Sequence, residues 1–294
     1  MMNRQESVLG GSPEFLRVLH AARMVAVTDA PVLISGEPGS GKALLAKEIH
    51  KSSRGTAKPF LSIVCAGIEA AELEREILSG EGGATLFLDQ VSDLSEEGQA
   101  RLLHLLESME RGRGGSPVMR VIASTTCDPS SLLESQQLRL DLFYRLQVVP
   151  LDVPPLRERS GDIVLMLKQF TADLARQHGR KAPRFAVTSR HLLKEYAWPG
   201  NVRELHNFCE RMVILHPGNM VQPADLPIEM RRKSEALFGV GQFLLPAEGI
   251  DLLAMEGDMI RQAIGMAGGN RSKAARLLGI SRDKLLYRIQ KHAI

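Results

Sequence analysis

The run Val32-Leu33-Ile34-Ser35-Gly36-Glu37-Pro38-Gly39-Ser40-Gly41-Lys42 constrains this 294-residue chain more than any other. A short apolar stretch leads into a glycine-rich loop that ends in lysine, and the helix-prone segment 43–50 follows at once. Strand, Gly-x-x-x-x-Gly-Lys, helix is the context in which this motif reads as a phosphate loop. The glycines let backbone N–H groups curl around an anion, and the helix start adds positive potential. Gly36, Glu37, Pro38, Gly39, Ser40, Gly41, Lys42 and Ala43 are therefore the candidate phosphate-binding residues, with Lys42 reaching the outer phosphates. The motif ordinarily closes on Ser or Thr, a magnesium ligand, where this chain has Ala43. A plain glycine turn between a buried strand and a helix is the competing reading.

The flanking pattern extends the argument. Apolar runs at 32–35, 60–64, 85–88, 120–124 and 148–151 read as short buried strands. Helical patterns at 43–51, 69–79, 96–107 and 138–146 lie between them. Such alternation predicts an α/β fold, a parallel sheet with helices on both faces. From Gly161 onward the strand signals stop, and 162–178, 188–196 and 202–216 read as helices. The expected divisions are an α/β part at 8–160, a helical part at 161–230, a linker at 231–249 and an all-α unit at 250–294. With 44% hydrophobic residues the chain can fill more than one core. Cys65, Cys127 and Cys209 lie far apart, which predicts reduced thiols, no zinc site and no disulfide frame. No apolar run has the length of a membrane span, and residues 1–10 lack a signal-peptide core, so a cytoplasmic protein without a membrane partner is expected.

Net charge is only +3, yet residues 270–294 carry seven Lys or Arg against the single acid Asp283. A local net charge of +6 is an electrostatic footprint for a polyanion. Asn270 is placed to cap one helix with Ala274, Ala275, Leu277 and Leu278 on its apolar face. Gly279 permits a tight turn and Ser281 caps the next helix, which turns Leu285, Leu286 and Ile289 inward. This is helix-turn-helix logic for double-stranded DNA. Arg282 and Lys284 begin the second helix and suit base contacts; Arg271, Lys273 and Arg288 suit phosphates.

The C-terminal stretch resembles the Fis-type helix-turn-helix, which implies dimerisation through the first helix, here 250–267. Together the two parts resemble the bacterial enhancer-binding proteins, the NtrC-like activators of sigma-54 RNA polymerase. The landmarks run in order: Gly36 to Lys42, Leu86-Phe87-Leu88-Asp89, Asp141-Leu142-Phe143-Tyr144-Arg145-Leu146, Pro154-Pro155-Leu156-Arg157-Glu158-Arg159, and Trp198-Pro199-Gly200-Asn201-Val202-Arg203-Glu204-Leu205. The resemblance implies an AAA+ body with a helical lid, beginning near Val8 with no receiver domain ahead of it. It implies ATP or ADP as ligand and Asp89 as holder of the nucleotide's Mg²⁺. It also makes Arg139 and Arg145 arginine fingers acting on a neighbouring subunit, and Arg203 the second sensor in the lid. Partners implied are DNA, nucleotide, further copies of the chain (a dimer, up to a hexamer), and a related regulator or RNA polymerase.

Four departures from the family stand beside these matches. Asp89 is followed by Gln90 where the family has glutamate, and an amide cannot accept a proton from water. Val64 replaces the asparagine that positions that glutamate, and Thr126 replaces the asparagine of the first sensor. The GAFTGA loop that meets sigma-54 is missing between the helix at 69–79 and the strand at 85–88. The expected function is a DNA-binding regulator with a degenerate, nucleotide-binding AAA+ body. The alternatives are an active AAA+ ATPase activator and a regulator that responds to a cyclic dinucleotide.

Overall fold

The computed structural model describes residues 9–53, 58–80, 84–110, 119–135, 137–235 and 251–292. Five parallel strands form the central sheet: β1 (Val32–Ser35), β2 (Phe60–Val64), β3 (Thr85–Asp89), β4 (Arg120–Thr125) and β5 (Val149–Asp152), in the order β2-β3-β4-β1-β5. The central strands β1, β3 and β4 are buried along nearly their whole length because both faces are covered. All four residues of β1 are buried, and alternate ones serve different cores. Leu33 joins Leu86 and Leu88 on one face, packed by α3 (Ala70–Leu78), α4 (Glu96–Glu110) and α6 (Leu140–Leu146). Val32 and Ile34 join Phe87 on the other, under α1 (Pro13–Ala26) and α2 (Lys42–Lys51). The short α5 (Pro129–Glu134) links β4 to α6. Pro150 sits in β5, an edge strand, where a missing N–H is tolerated.

The sheet leads into a helical lid: α7 (Ser160–Gln177), α8 (Val187–Glu195), α9 (Asn201–Leu215) and α10 (Ile228–Glu235). Its core centres on Trp198, which is fully buried and donates its indole N–H to the carbonyl of Leu193 at 2.8 Å. Strand structure does not stop at Gly161 as expected. A two-strand parallel pair, β6 (Arg184–Phe185) and β7 (Met220–Val221), fastens the start of α8 to the end of α9. Two residues per strand leave no periodicity for a sequence pattern to register.

The chain divides into two compact units between residues 237 and 238. The second consists of α11 (Leu252–Met266), α12 (Arg271–Leu277) and α13 (Arg282–Lys291) around Ile260, Ala263, Ala274, Ala275 and Leu285. The expected caps are present: Asn270 Oδ1 accepts from the N–H groups of Ser272 and Lys273, and Ser281 Oγ accepts from that of Lys284. Gly279 adopts φ +66°, the left-handed turn between them. One expectation fails here: Leu277 is half exposed rather than in the core, because α12 is only two turns long and Ala274 and Ala275 fill the contact.

Candidate nucleotide site

The glycine loop leaves the C-terminal end of β1, the edge at which open α/β sheets present ligand crevices. Two of its glycines are required by space as well as by φ. A Cβ on Gly39 (φ +73°) would lie 2.4 Å from the carbonyl oxygen of Gly200, and one on Gly36 (φ +144°) 2.8 Å from that of Val153. The lid thus touches the loop backbone directly.

Four consecutive loop residues are held from the lid side. Glu37 accepts two hydrogen bonds from the Arg157 guanidinium, at 2.6 and 2.9 Å, and one from Asn201 Nδ2 at 3.0 Å. Asn201 Nδ2 also donates to the Pro38 carbonyl, the Val202 N–H donates to the Gly39 carbonyl, and Arg159 Nη2 donates to the Ser40 carbonyl at 2.6 Å. Arg157 holds the Glu37 carboxyl below its ordinary pKa. Asn201 is fully buried in a left-handed conformation (φ +51°), which asparagine tolerates better than most residues. Arg157, Arg159 and Asn201 escaped the sequence reading as functional residues. The signal was there, in charged and amide side chains inside segments otherwise apolar enough to be buried.

A cavity of about 550 Å³ opens between this loop and the lid, lined by Pro38 to Ala43, Asp89, Gln90 and Arg203. Phe15, Met166 and Phe170 supply an apolar wall. Lys42 Nζ donates to the carbonyls of Gly36 and Glu37 at 2.7 and 3.1 Å. Burial pushes its pKa down, and the Asp89 charge works against that. Asp89 ends β3, and its Oδ1 accepts from Ser124 Oγ at 2.5 Å. Ser124 Oγ accepts in turn from the Gln90 N–H at 3.1 Å. Gln90 is left-handed (φ +60°), a strained backbone for a residue with a side chain. Its Oε1 is buried with no donor among the described residues. Val64 pairs in register with Asp89 and is 61% exposed, and half-buried Thr126 follows β4 outside the cavity lining. Cys65 lies beneath; burial raises its thiol pKa to about 12, with Asp89 and Asp93 adding to the shift.

Three matches to known families cover almost the whole chain. Residues 9–156 match the sigma-54 interaction domain, 157–238 the AAA+ ATPase lid domain, and 253–292 the bacterial regulatory proteins of the Fis family. The chain belongs to the sigma-54-dependent transcriptional regulators. It is 35% identical over 310 residues to the transcriptional regulatory protein ZraR of Escherichia coli, an alignment covering 98% of this chain and 69% of ZraR. It is 33% identical to the regulatory protein AtoC of the same organism, covering 98% and 68%. The structure of NtrX from Brucella abortus in complex with ATP superposes with a TM-score of 0.67 at 28% identity, over 98% of this chain and 69% of NtrX. The NtrX complex with ADP gives 0.68 at 28% identity, over 99% and 70%.

Arg139 is exposed and chelated by Asp141 at 2.8 Å, and Arg145 lies 3.7 Å from Glu107 of α4. Neither lines the cavity. In the Fis-type unit Arg271, Lys273, Arg282 and Lys284 are exposed, whereas Arg288 is half-buried and paired with Glu256 of α11 at 2.6 Å. His292 Nε2 meets the other oxygen of Glu256 at 3.0 Å, so α13 is tied to α11 at its C-terminal end. No helix among the described residues is long and apolar enough to cross a membrane.

Proposed function

We propose that this chain is a DNA-binding transcriptional regulator whose AAA+ body binds ATP or ADP, hydrolyses it slowly or not at all, and does not remodel sigma-54 polymerase. The observation that carries the reading is Gln90: the residue facing the cavity beside Asp89 is a neutral amide with a buried, unpartnered oxygen. A positioned general base contributes about 10²–10⁴-fold, and this site has none at that position. The second support lies in the chain's length. Between α3, ending at Leu78, and β3, starting at Thr85, six residues leave no room for a GAFTGA loop.

Binding rests on Gly36, Glu37, Pro38, Gly39, Ser40, Gly41, Lys42, Ala43 and Arg203. The loop amides and Lys42 take the phosphates, Arg203 faces them from α9, and Glu37 keeps the loop on the lid. The two NtrX complexes, with ATP and ADP, support nucleotide as the ligand. For Mg²⁺ the donor set fits in a limited way. Asp89 offers the oxygen that Ser124 does not use, Ala43 offers no hydroxyl, and the nucleotide phosphates would supply the rest. Arg139 and Arg145, remote from their own cavity, suit action on a neighbouring copy, with assembly as a dimer through α11 and up to a hexamer. We assign residues 8–160 to the α/β part, 161–230 to the lid, 231–249 to a linker and 250–294 to the DNA reader of a cytoplasmic regulator. A related regulator or RNA polymerase is the protein partner.

The test is thermal unfolding with and without nucleotide, and turnover on the same sample. At 100 times Kd, ADP should stabilise the protein by about 2.7 kcal/mol. Phosphate release should stay well below about 1 s⁻¹, and a rate at or above it would remove the claim of lost catalysis. In the reader, Arg282→Ala or Lys284→Ala should each cost about 1–3 kcal/mol on an operator selected from random sequence, and much less on non-specific duplex. Equal losses on both duplexes would make these residues phosphate contacts.

A further inference from the structure

From Leu174 to Lys194 the chain carries six Lys or Arg and no Asp or Glu, in a molecule whose net charge is +3. The fold gathers these cations. Lys181 accepts at its carbonyl from the Gly218 N–H, and Arg184 donates its N–H to the Asn219 carbonyl, so both flank β7. Ser189 Oγ ties the first turn of α8 to the Val221 carbonyl of the same strand, and Arg190 is the next residue. Arg180, Lys181, Arg184 and Arg190 are all exposed. Of the acids nearby, Asp173 pairs with Arg176, and Glu210 and Glu195 lie against His178 and His191. Arg180 Nη1 donates to the Ile214 carbonyl, which leaves its charge uncompensated. Lys181, Arg184 and Arg190 have no carboxylate partner among the described residues.

We propose that this face of the lid is a second DNA-contacting surface that grips the phosphate backbone without reading sequence. The inference rests on the DNA-binding reading of the chain. Three of the four cations are arginines, whose planar donors suit phosphate oxygens. Phe185, the aromatic residue within the patch, is half-buried and stacks toward Phe208, so base stacking is not on offer. Val187, Ile214, Leu215 and Met220 are exposed apolar neighbours set among four cations, whereas the centre of a protein interface is depleted of charge. Once the reader is on DNA, the lid belongs to the same molecule, and weak phosphate contacts gain from that effective concentration.

The experiment measures binding of the full chain to a random-sequence 60-base-pair duplex across salt concentrations. Each phosphate neutralised adds about 0.9 to the slope of log Kobs against log salt. The variant K181A/R184A/R190A should lose about 2–3 from that slope and at least about tenfold in affinity at 50 mM salt. The charge-keeping variant K181R/R184K/R190K should retain both, which separates charge from folding. Equal slopes in wild type and the alanine variant overturn the proposal and leave the patch to an acidic protein surface. A wild-type chain that does not bind the duplex overturns the DNA-binding reading itself, and this inference with it.

Discussion

Gln90→Glu is expected to raise ATP turnover by about 10²–10⁴-fold, the contribution of a positioned general base. Glutamate is close to isosteric with glutamine, so the left-handed backbone at residue 90 and the bond from its N–H to Ser124 can persist. What changes is the chemistry of a side chain that lines the cavity: a carboxylate able to take a proton from water replaces an amide. Val64→Asn should add to the gain, since residue 64 lies in register with Asp89 on the neighbouring strand and can offer an amide to the new carboxylate. Single-turnover hydrolysis with saturating ATP reads the chemical step apart from product release. A wild-type protein already turning over at about 1 s⁻¹, with no gain in the variant, would mean that water is activated by another group. The substitution should leave nucleotide affinity almost unchanged if, as proposed, the loop amides and Lys42 take the phosphates.

Much of this site was legible because its parts are local. The loop from Gly36 to Lys42 is one continuous run, and the strand before it and the helix after it adjoin it directly. The sheet was legible for a related reason: Leu33, Leu86 and Leu88 face one core, Ile34 and Phe87 the other, and a doubly covered strand is largely apolar. The lid clamp was not legible as a mechanism. Asn201 lies 164 residues from Glu37, and the bond between them depends on a turn at Trp198 and Asn201 that takes two non-glycine residues into positive φ. Arg288 shows the same limit on a smaller scale. Its spacing on α13 suggests phosphate contact, and its ion pair with Glu256 on another helix was not foreseen, because a pairing across helices leaves no trace in the period of either. Ser124 looked like one more small residue in a buried strand, and its hydroxyl proves to join Asp89 to Gln90.

Asp162→Ala should lower folding stability by about 3–5 kcal/mol, the cost of leaving a buried charge without its partner. Asp162 is 1% exposed and accepts from the N–H groups of Gly11 and Ser12 at 2.7 and 2.9 Å and from Ser12 Oγ at 3.0 Å. Truncation strands those three donors and removes the anion that offsets Arg159, whose pKa burial pulls down to about 10 against the pull of Asp162. Ser12 also caps α1, so the loss spreads to the helix that carries Phe15. Phe15 lies under the Arg159 guanidinium, 4.7 Å from its centre, and Arg159 holds the Ser40 carbonyl of the phosphate loop. One carboxylate therefore connects the N-terminal segment, the lid and the nucleotide loop. Asp162→Asn keeps an acceptor for the backbone groups and should lose less, about 1–3 kcal/mol, which isolates the part due to charge. Urea unfolding monitors both variants, with an unchanged m-value as the sign that only stability has moved. A loss below about 0.5 kcal/mol in the alanine variant would mean that water satisfies these donors and that the loop is anchored through Asn201 and Arg157 alone. If the connection holds, bound ADP should recover more stability in the asparagine variant than in the alanine variant, because only the former keeps Ser12 and α1 in place against the cavity wall.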